Sequence, residues 1–531
     1  MAKERRQEEE AWRWRAGILG IAILSRLLIL ALTLLFRHLA SPYDSSALID
    51  PPCLVSSTSQ EPAGIADRVQ DPGRRTWGRR IGAAIEGSIV WDGVYYVRIA
   101  KCGYEYEQSH AFLPVLPLTM RFMTNYVLFG MIPLIGHRAT LAFSGYLINN
   151  LSFLGAAFYF HRLSCYILRD RKLATSATLL FCFNPASVFY FSIYSESMFS
   201  LLSFAGLWCL LLGAKWRATL LFGLSGAVRS NGVLNAGFLL FQAMHEAHNY
   251  FFFLNKPLMT GRVIYFAVLQ VLGSILPFVS FQGYGYYQLC WTSNDDELVV
   301  CRPWCNSSIP YLYGFVQNHY WNVGFLNYFH WKQLPNFSLA SPMLLLATCA
   351  IVSYAKRRPL VFFSLGLARQ SGSWREAALL SLLDRYRPVL DNQGAQARSV
   401  NMPNVVPAEP IVHKELKQRH LQRPNASQFQ MHNQSWQESQ EDAVSFSAGF
   451  YSASTLSFLL KLGFMTAVAS FIMHVQVATR FLSSSLPIYW YAASKMESSV
   501  HGKRIQSIIW TLFLCYISVG TLLFSNFYPF T

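Results

Sequence analysis

The feature that most constrains this chain is a series of apolar runs separated by short basic clusters. About 20 apolar residues suffice to cross a bilayer as a helix, and residues 17–36 form the first such run. Residues 141–160, 174–193, 198–213, 220–228, 233–244, 263–281, 339–354, 455–473, 481–493 and 505–524 follow. Several fall short of a full span. A helix that lines a polar cavity can shorten or break, because protein or water satisfies its backbone there. The basic residues cluster between the runs, as at Arg5, Arg6, Arg13 and Arg15, between Arg169 and Lys172, from Lys356 to Arg358, and at Lys503 and Arg504. Cytoplasmic loops of multi-span proteins carry such clusters, so the formal charge of +16 reads as membrane topology and not as nucleic-acid binding. Only 14% of the residues are charged, against about 25% in an ordinary soluble domain. The expected fold is an all-α polytopic membrane protein with roughly 10–12 transmembrane helices.

The loops then order themselves. Residues 1–16 are a charged cytosolic N-terminus, and the run after them is too long for a removable signal segment. Residues 17–355 form a membrane core with luminal loops at 41–111 and 283–338, and 450–531 supply its C-terminal helices. Residues 356–449, rich in Gln, Ser, Asn, Arg and Pro, read as a mostly disordered cytosolic insert. The stretch 112–135, with Pro114, Pro117, Arg121 and Pro133, is ambiguous. If it spans, the basic segment 162–172 falls in the lumen. If it re-enters or lies at the interface, that segment stays cytosolic, and this is the preferred reading. It requires a luminal break between short helices at 229–231. On that topology the sequons at Asn306 and Asn336 are open to glycosylation, and those at Asn425 and Asn433 are silent. Of ten cysteines, Cys290, Cys301 and Cys305 share one polar loop and can form a disulfide if that loop is luminal.

Four polar clusters could carry chemistry. Asp92, flanked by Trp91 and Tyr95, lies in the first luminal loop with Glu107 farther on. A positioned carboxylate can take the proton of a sugar hydroxyl as it attacks; an Asp there can equally cap a helix. Glu196 and the segment Arg229-Ser230-Asn231 place charge at membrane depth, where a partner or a cavity is needed. The two can pair with each other, or Arg229 can meet a phosphate. The loop holding Gln317, Trp321 and Asn322 suits sugar faces and hydroxyls, or an aromatic belt at the interface. His474, Gln476 and Arg480 crowd the junction of two runs, where donors could neutralise a phosphate leaving group; a lone His is more often structural. Together they support a membrane-embedded polar site without identifying a reaction.

The strings WDGVYYVRIAKCGYEYE, AFLPVLPL, FNPASVFYFSIYSES, AVRSNG, PWCNSSIPYLYGFVQNHYWNVGFLNYFHWKQLPNF and HVQVATRFLSSSLPIYW resemble the PIG-V family of GT-C glycosyltransferases. They run in that family's order across most of the chain outside 356–449. Leu113 stands where the family pattern has Phe, and the long polar insert is a second departure. The resemblance implies a GT-C-type bundle in the endoplasmic reticulum membrane with a luminal site. It implies dolichyl-phosphate mannose as donor substrate, with no further cofactor and no metal, and a glycosylphosphatidylinositol (GPI) precursor carrying one mannose as acceptor. It implies an inverting transfer in α-1,6 linkage, with Asp92 as base, Glu107 as a second carboxylate and Arg229, His474 and Arg480 on the phosphate side. Trp91, Gln317, Trp321 and Asn322 would meet sugar or acceptor, and Glu196, Asn231 and Gln476 complete the expected substrate-binding set. An accessory membrane subunit is compatible with this. The rival readings are another lipid-linked sugar transferase, and a lipid scramblase or transporter.

Overall fold

The computed structural model describes residues 2–43, 49–54, 76–291, 302–368, 377, 448–497 and 502–528, with side chains from residue 16 onward. Most of the polar insert, Asn425, Asn433 and Cys301 lie outside the described residues. All regular structure among the described residues is helical. The helices are α1 (Ala2–Leu39), α2 (Thr76–Glu86), α3 (Asp92–Cys102), α4 (Val115–Phe122), α5 (Ile132–Ile135) and α6 (His137–Leu168). Next come α7 (Arg171–Cys182), α8 (Ser187–Phe191), α9 (Glu196–Leu211), α10 (Lys215–Val228), α11 (Ala236–His248) and α12 (Pro257–Tyr286). The rest are α13 (Leu312–Trp321), α14 (Leu334–Arg357), α15 (Pro359–Phe363), α16 (Leu456–Phe471), α17 (Ala478–Leu482), α18 (Leu486–Met496) and α19 (Gly502–Ser525).

Six of these segments are long and apolar enough to cross a membrane, Ala16–Leu39, His137–Leu168, Pro257–Trp291, Trp331–Arg357, Ala453–Phe471 and Gly502–Ser525. A seventh arises if the bent pair 115–135 is one span. The chain is an all-α, multi-pass membrane protein, and several of the expected transmembrane helices are shorter than a full span. The run 174–193 breaks at Asn184-Pro185 into α7 and α8. The Asn184 amide donates to the Phe181 carbonyl at 2.9 Å and its Oδ1 accepts from the Ala186 N–H at 2.8 Å. These bonds satisfy backbone groups that the proline leaves unpaired. The run 481–493 likewise breaks between α17 and α18. The short helices survive inside the membrane because α9 and α10 pack against each other and against α6 and α12, so their broken ends face protein rather than lipid.

Arg26 fastens the first span to one of these breaks. Buried in α1, its guanidinium donates to the carbonyls of Ser187 at 3.1 Å and Cys182 at 3.2 Å and lies 3.8 Å from the Phe153 ring centroid. The carbonyls at the end of α7 lack helical partners, and a cation suits that end of a helix.

The two ends of the bundle are distinct. At one, Arg37 donates to the Gly87 carbonyl at 2.6 Å, Tyr43 N–H to the Asn526 carbonyl at 2.8 Å, and Leu326 N–H to the Phe471 carbonyl at 2.7 Å. At the other, Gly449 N–H donates to the Leu168 carbonyl at 2.6 Å and the Tyr354 hydroxyl to the Ser452 carbonyl at 3.1 Å. Segment 112–135 starts and finishes at the first end. It bends by 74° between its two halves, and α5 returns to pack on α2. The basic segment 162–172 therefore lies at the end opposite Asp92. The first residues of the polar insert are ordered, since they finish α14 and form α15, whose Val361 is buried.

Candidate active site

Asp92 opens α3 at its N-terminus, where the helix dipole favours a carboxylate. The chain enters the helix through Trp91 at φ 53°, a left-handed conformation that costs a bulky residue about 1–3 kcal/mol. Stacking holds Trp91 there, with the Phe527 ring 4.8 Å away at 9°. The Tyr194 hydroxyl accepts from the Asp92 N–H at 3.2 Å, so the first turn of α3 is pinned on two sides.

Asp92 begins a chain of alternating charges. Arg480, on α17, donates to Asp92 Oδ2 at 2.8 Å. Its Nε lies 3.2 Å from Glu196 Oε1, a charge contact rather than an aligned hydrogen bond. Glu196, at the start of α9, is ion-paired to Arg229, and Arg229 also donates to Ser195 Oγ at 3.3 Å. Two carboxylates and two guanidiniums thus neutralise one another, with Glu196 buried and Asp92 partly exposed. Asp92 and Glu196 both favour the charged form of Arg480. The rings of Phe189 and Tyr194 flank its guanidinium at 5.3 and 5.2 Å.

These charges edge a cavity of about 840 Å³, large enough for sugar rings and a phosphate. Trp91, Asp92, Arg229, Gln317, Trp321, His474, Gln476 and Arg480 all line it, so residues from distant segments converge there. His474 Nε2 is bonded to the Trp321 carbonyl. Trp91 Nε1 is buried with no partner among the described residues.

Four expected site residues stand elsewhere. Glu107 does not line the cavity. Its carboxylate accepts from Trp304 Nε1 at 2.6 Å and from the Tyr320 hydroxyl at 2.9 Å, so it ties loop to loop and is withdrawn as a second catalytic carboxylate. Glu196 lies behind the cavity wall, bridging the two arginines. Asn231 is buried behind the break between α10 and α11, off the cavity. Asn322 caps α13 at φ 51°, and its exposed side chain accepts from Asn327 at 3.5 Å. Conversely, Tyr95, Phe112, Tyr194, Tyr313, Asn336 and Phe527 line the cavity but stand outside the expected site set. Aromatic residues at membrane depth look alike in a sequence, and only their long-range neighbours distinguish them. Asn336, a sequon asparagine, has its Nδ2 occupied by the Tyr328 hydroxyl at 3.0 Å and Gln333 Oε1 at 2.6 Å.

The family profile described as Mannosyltransferase (PIG-V) matches residues 15–531. The chain belongs to the PIG-V mannosyltransferase family. GPI alpha-1,6-mannosyltransferase 2 of Cricetulus griseus is 29% identical over 501 residues, covering 91% of this chain and 84% of its own. The protein of the same name from Homo sapiens is 28% identical over 501 residues with the same coverage. GPI mannosyltransferase 2 of Drosophila pseudoobscura pseudoobscura is 29% identical over 482 residues, 84% of this chain and 87% of its own. No solved structure matches the chain. This mannosyltransferase is a membrane-embedded glycosyltransferase, and the scramblase and transporter readings fall away.

Proposed function

We propose that this mannosyltransferase adds the second mannose, in α-1,6 linkage, to a GPI precursor that carries one, with dolichyl-phosphate mannose as donor and on the luminal side of the endoplasmic reticulum membrane. The names of the relatives support the acceptor and linkage. Two disulfides at the same end of the bundle as the cavity, Cys53–Cys102 and Cys290–Cys305, favour an oxidising compartment there.

The observation that carries the mechanism is the placement of Asp92. Its Oδ2 is held by Arg480, while Oδ1 has no partner among the described residues and the side chain is 32% exposed. A β-linked donor and an α-linked product need one in-line displacement. Asp92 Oδ1 takes the proton of the acceptor 6-hydroxyl as its oxygen bonds to the mannose anomeric carbon. The bond from that carbon to phosphate breaks, and its electron pair leaves with dolichyl phosphate. In this reading the fixed charges of Arg229 and Arg480 offset the charge that gathers on the leaving oxygen.

Asp92→Asn keeps the shape of the side chain and an oxygen for Arg480, but removes the base. The expected result is a fall in turnover of about 10²–10⁴-fold with unchanged insertion and expression. Cells carrying only this variant should lose GPI-anchored proteins from their surface and accumulate a precursor with one mannose. Full surface display in those cells would remove Asp92 from the proposed role, and truncated N-glycan lipids in place of that precursor would redirect the acceptor.

A further inference from the structure

The charged residues Asp92, Arg229 and Arg480 occupy one part of the cavity wall, on α3, α17 and the junction after α10. The wall formed by α14 and the turn 475–477 is neutral, and its polar groups are arranged around one hydroxyl. Tyr328 OH accepts from Asn336 Nδ2 at 3.0 Å and donates to Gln476 Oε1 at 3.1 Å. The Tyr328 ring is itself held against His474, with centroids 4.5 Å apart. Asn336 and Gln476 line the cavity, and Tyr328 stands behind them.

A phenolic hydroxyl has one proton, so in this bridge it accepts from one amide while donating to the other. That constraint decides what each amide presents elsewhere. Asn336 spends both amide hydrogens, one on Tyr328 and one on Gln333 Oε1 at 2.6 Å, and keeps Oδ1 as an acceptor. Gln476 spends its oxygen and keeps Nε2 as a double donor. Neither remaining group has a partner among the described residues. The pair therefore offers an acceptor beside a donor with no net charge. Adjacent sugar hydroxyls, each able to donate and accept, complement that pattern, whereas a phosphate would find no cation there. Gln476 precedes Arg480 by about one helical turn, so a ring seated on this wall adjoins the charged part of the cavity.

We propose that Asn336 and Gln476, bridged by Tyr328, form a recognition subsite for the hydroxyls of a mannosyl ring. This rests on the transfer reaction proposed above, in which donor and acceptor both carry mannose. A corollary is that Asn336, although the first residue of an Asn-Phe-Ser sequon, stays unglycosylated, because its amide nitrogen is engaged and a glycan would fill the cavity.

The test uses the full-length purified protein with dolichyl-phosphate mannose and a synthetic one-mannose acceptor. Asn336→Ala and Gln476→Ala should each raise KM for one of the two substrates by about tenfold, the value of one hydrogen bond to a hydroxyl, with a smaller change in kcat. The substrate whose KM moves identifies the ring that occupies the subsite. Tyr328→Phe, which acts only through the two amides, should raise the same KM. Ser338→Ala removes the sequon and leaves the Asn336 amide in place; its mobility on gels and its kinetics should match wild type. Both KM values unchanged in an active Gln476→Ala enzyme, or a glycan on Asn336 that Ser338→Ala abolishes, would overturn the subsite. A wild-type protein that forms no glycoside in the same assay would instead sink the transfer reaction.

Discussion

At Glu196 two guanidiniums converge on a carboxylate with a side-chain exposure of 3%. Its other oxygen has no partner among the described residues, so Arg229 and Arg480 supply its ionic partners. Removing one member of a buried ion pair leaves the other charge uncompensated, at a cost of about 3–5 kcal/mol. Glu196→Gln should therefore lower the thermal midpoint of the protein in detergent. Adding Arg229→Gln should recover part of the loss, because the pair is then removed together. Losses that simply add would show that the two side chains are not coupled. The sequence disclosed that Glu196 and Arg229 are charges at membrane depth and left pairing and phosphate contact as alternatives. The structure adds Arg480, which links the pair to Asp92. Glu107 shows the opposite case. The resemblance offers it as a second carboxylate beside Asp92, yet Trp304 and Tyr320 from a distant loop hold both of its oxygens.

Two of the elements that place these charges each have a point where small changes should be felt. The first is α3. Asp92 is its first residue and Cys102 its last, and the disulfide from Cys102 to Cys53 fixes the far end of the helix. Arg98 adds bonds to the carbonyls of Pro51 at 2.5 Å and Pro52 at 3.0 Å, and Lys101 pairs with Asp50 at 2.6 Å. Replacing both cysteines by Ser should cost about 2–4 kcal/mol of stability and reduce turnover more than substrate binding; thermal unfolding and steady-state kinetics of the double variant will read this. The second is the break between α10 and α11. A Cβ on Gly232 would stand 2.3 Å from the Ser225 carbonyl carbon and 2.4 Å from the Gly226 nitrogen, so the turn can fold back on α10 only with glycine there. Gly232→Ala should push the turn outward, costing about 1–3 kcal/mol, and move Arg229. A fully active Gly232→Ala enzyme with an unchanged thermal midpoint would refute that placement.

Across the whole molecule, the cavity, both disulfides and Asn306 lie at one end of the bundle, and the basic segment 162–172 at the other. If the cavity end is luminal, exposed Asn306 carries a glycan, and Ser308→Ala should abolish a mobility shift on enzymatic deglycosylation. An unchanged shift in that variant would count against the orientation. Membrane class and helical content were legible because they rest on local composition: a run of apolar residues is costly in water wherever the rest of the chain goes. The ionisable residues at membrane depth were legible for the same reason, since each carries a desolvation cost that demands a partner or a cavity. The partners themselves were not. Asp92 and Arg480 lie 388 positions apart, and His474 reaches the Trp321 carbonyl across 153. Local sequence therefore determined that this is a helical membrane protein with buried charge near Asp92, Glu196, Arg229 and Arg480. Only the packed bundle decided that α7 and α8 are broken, that Glu107 faces away from the cavity, and that Phe527 and Asn336 belong to its wall. The physical reason is that hydrophobic burial acts residue by residue, whereas a hydrogen bond or ion pair exists only when two specific groups are brought within about 3 Å.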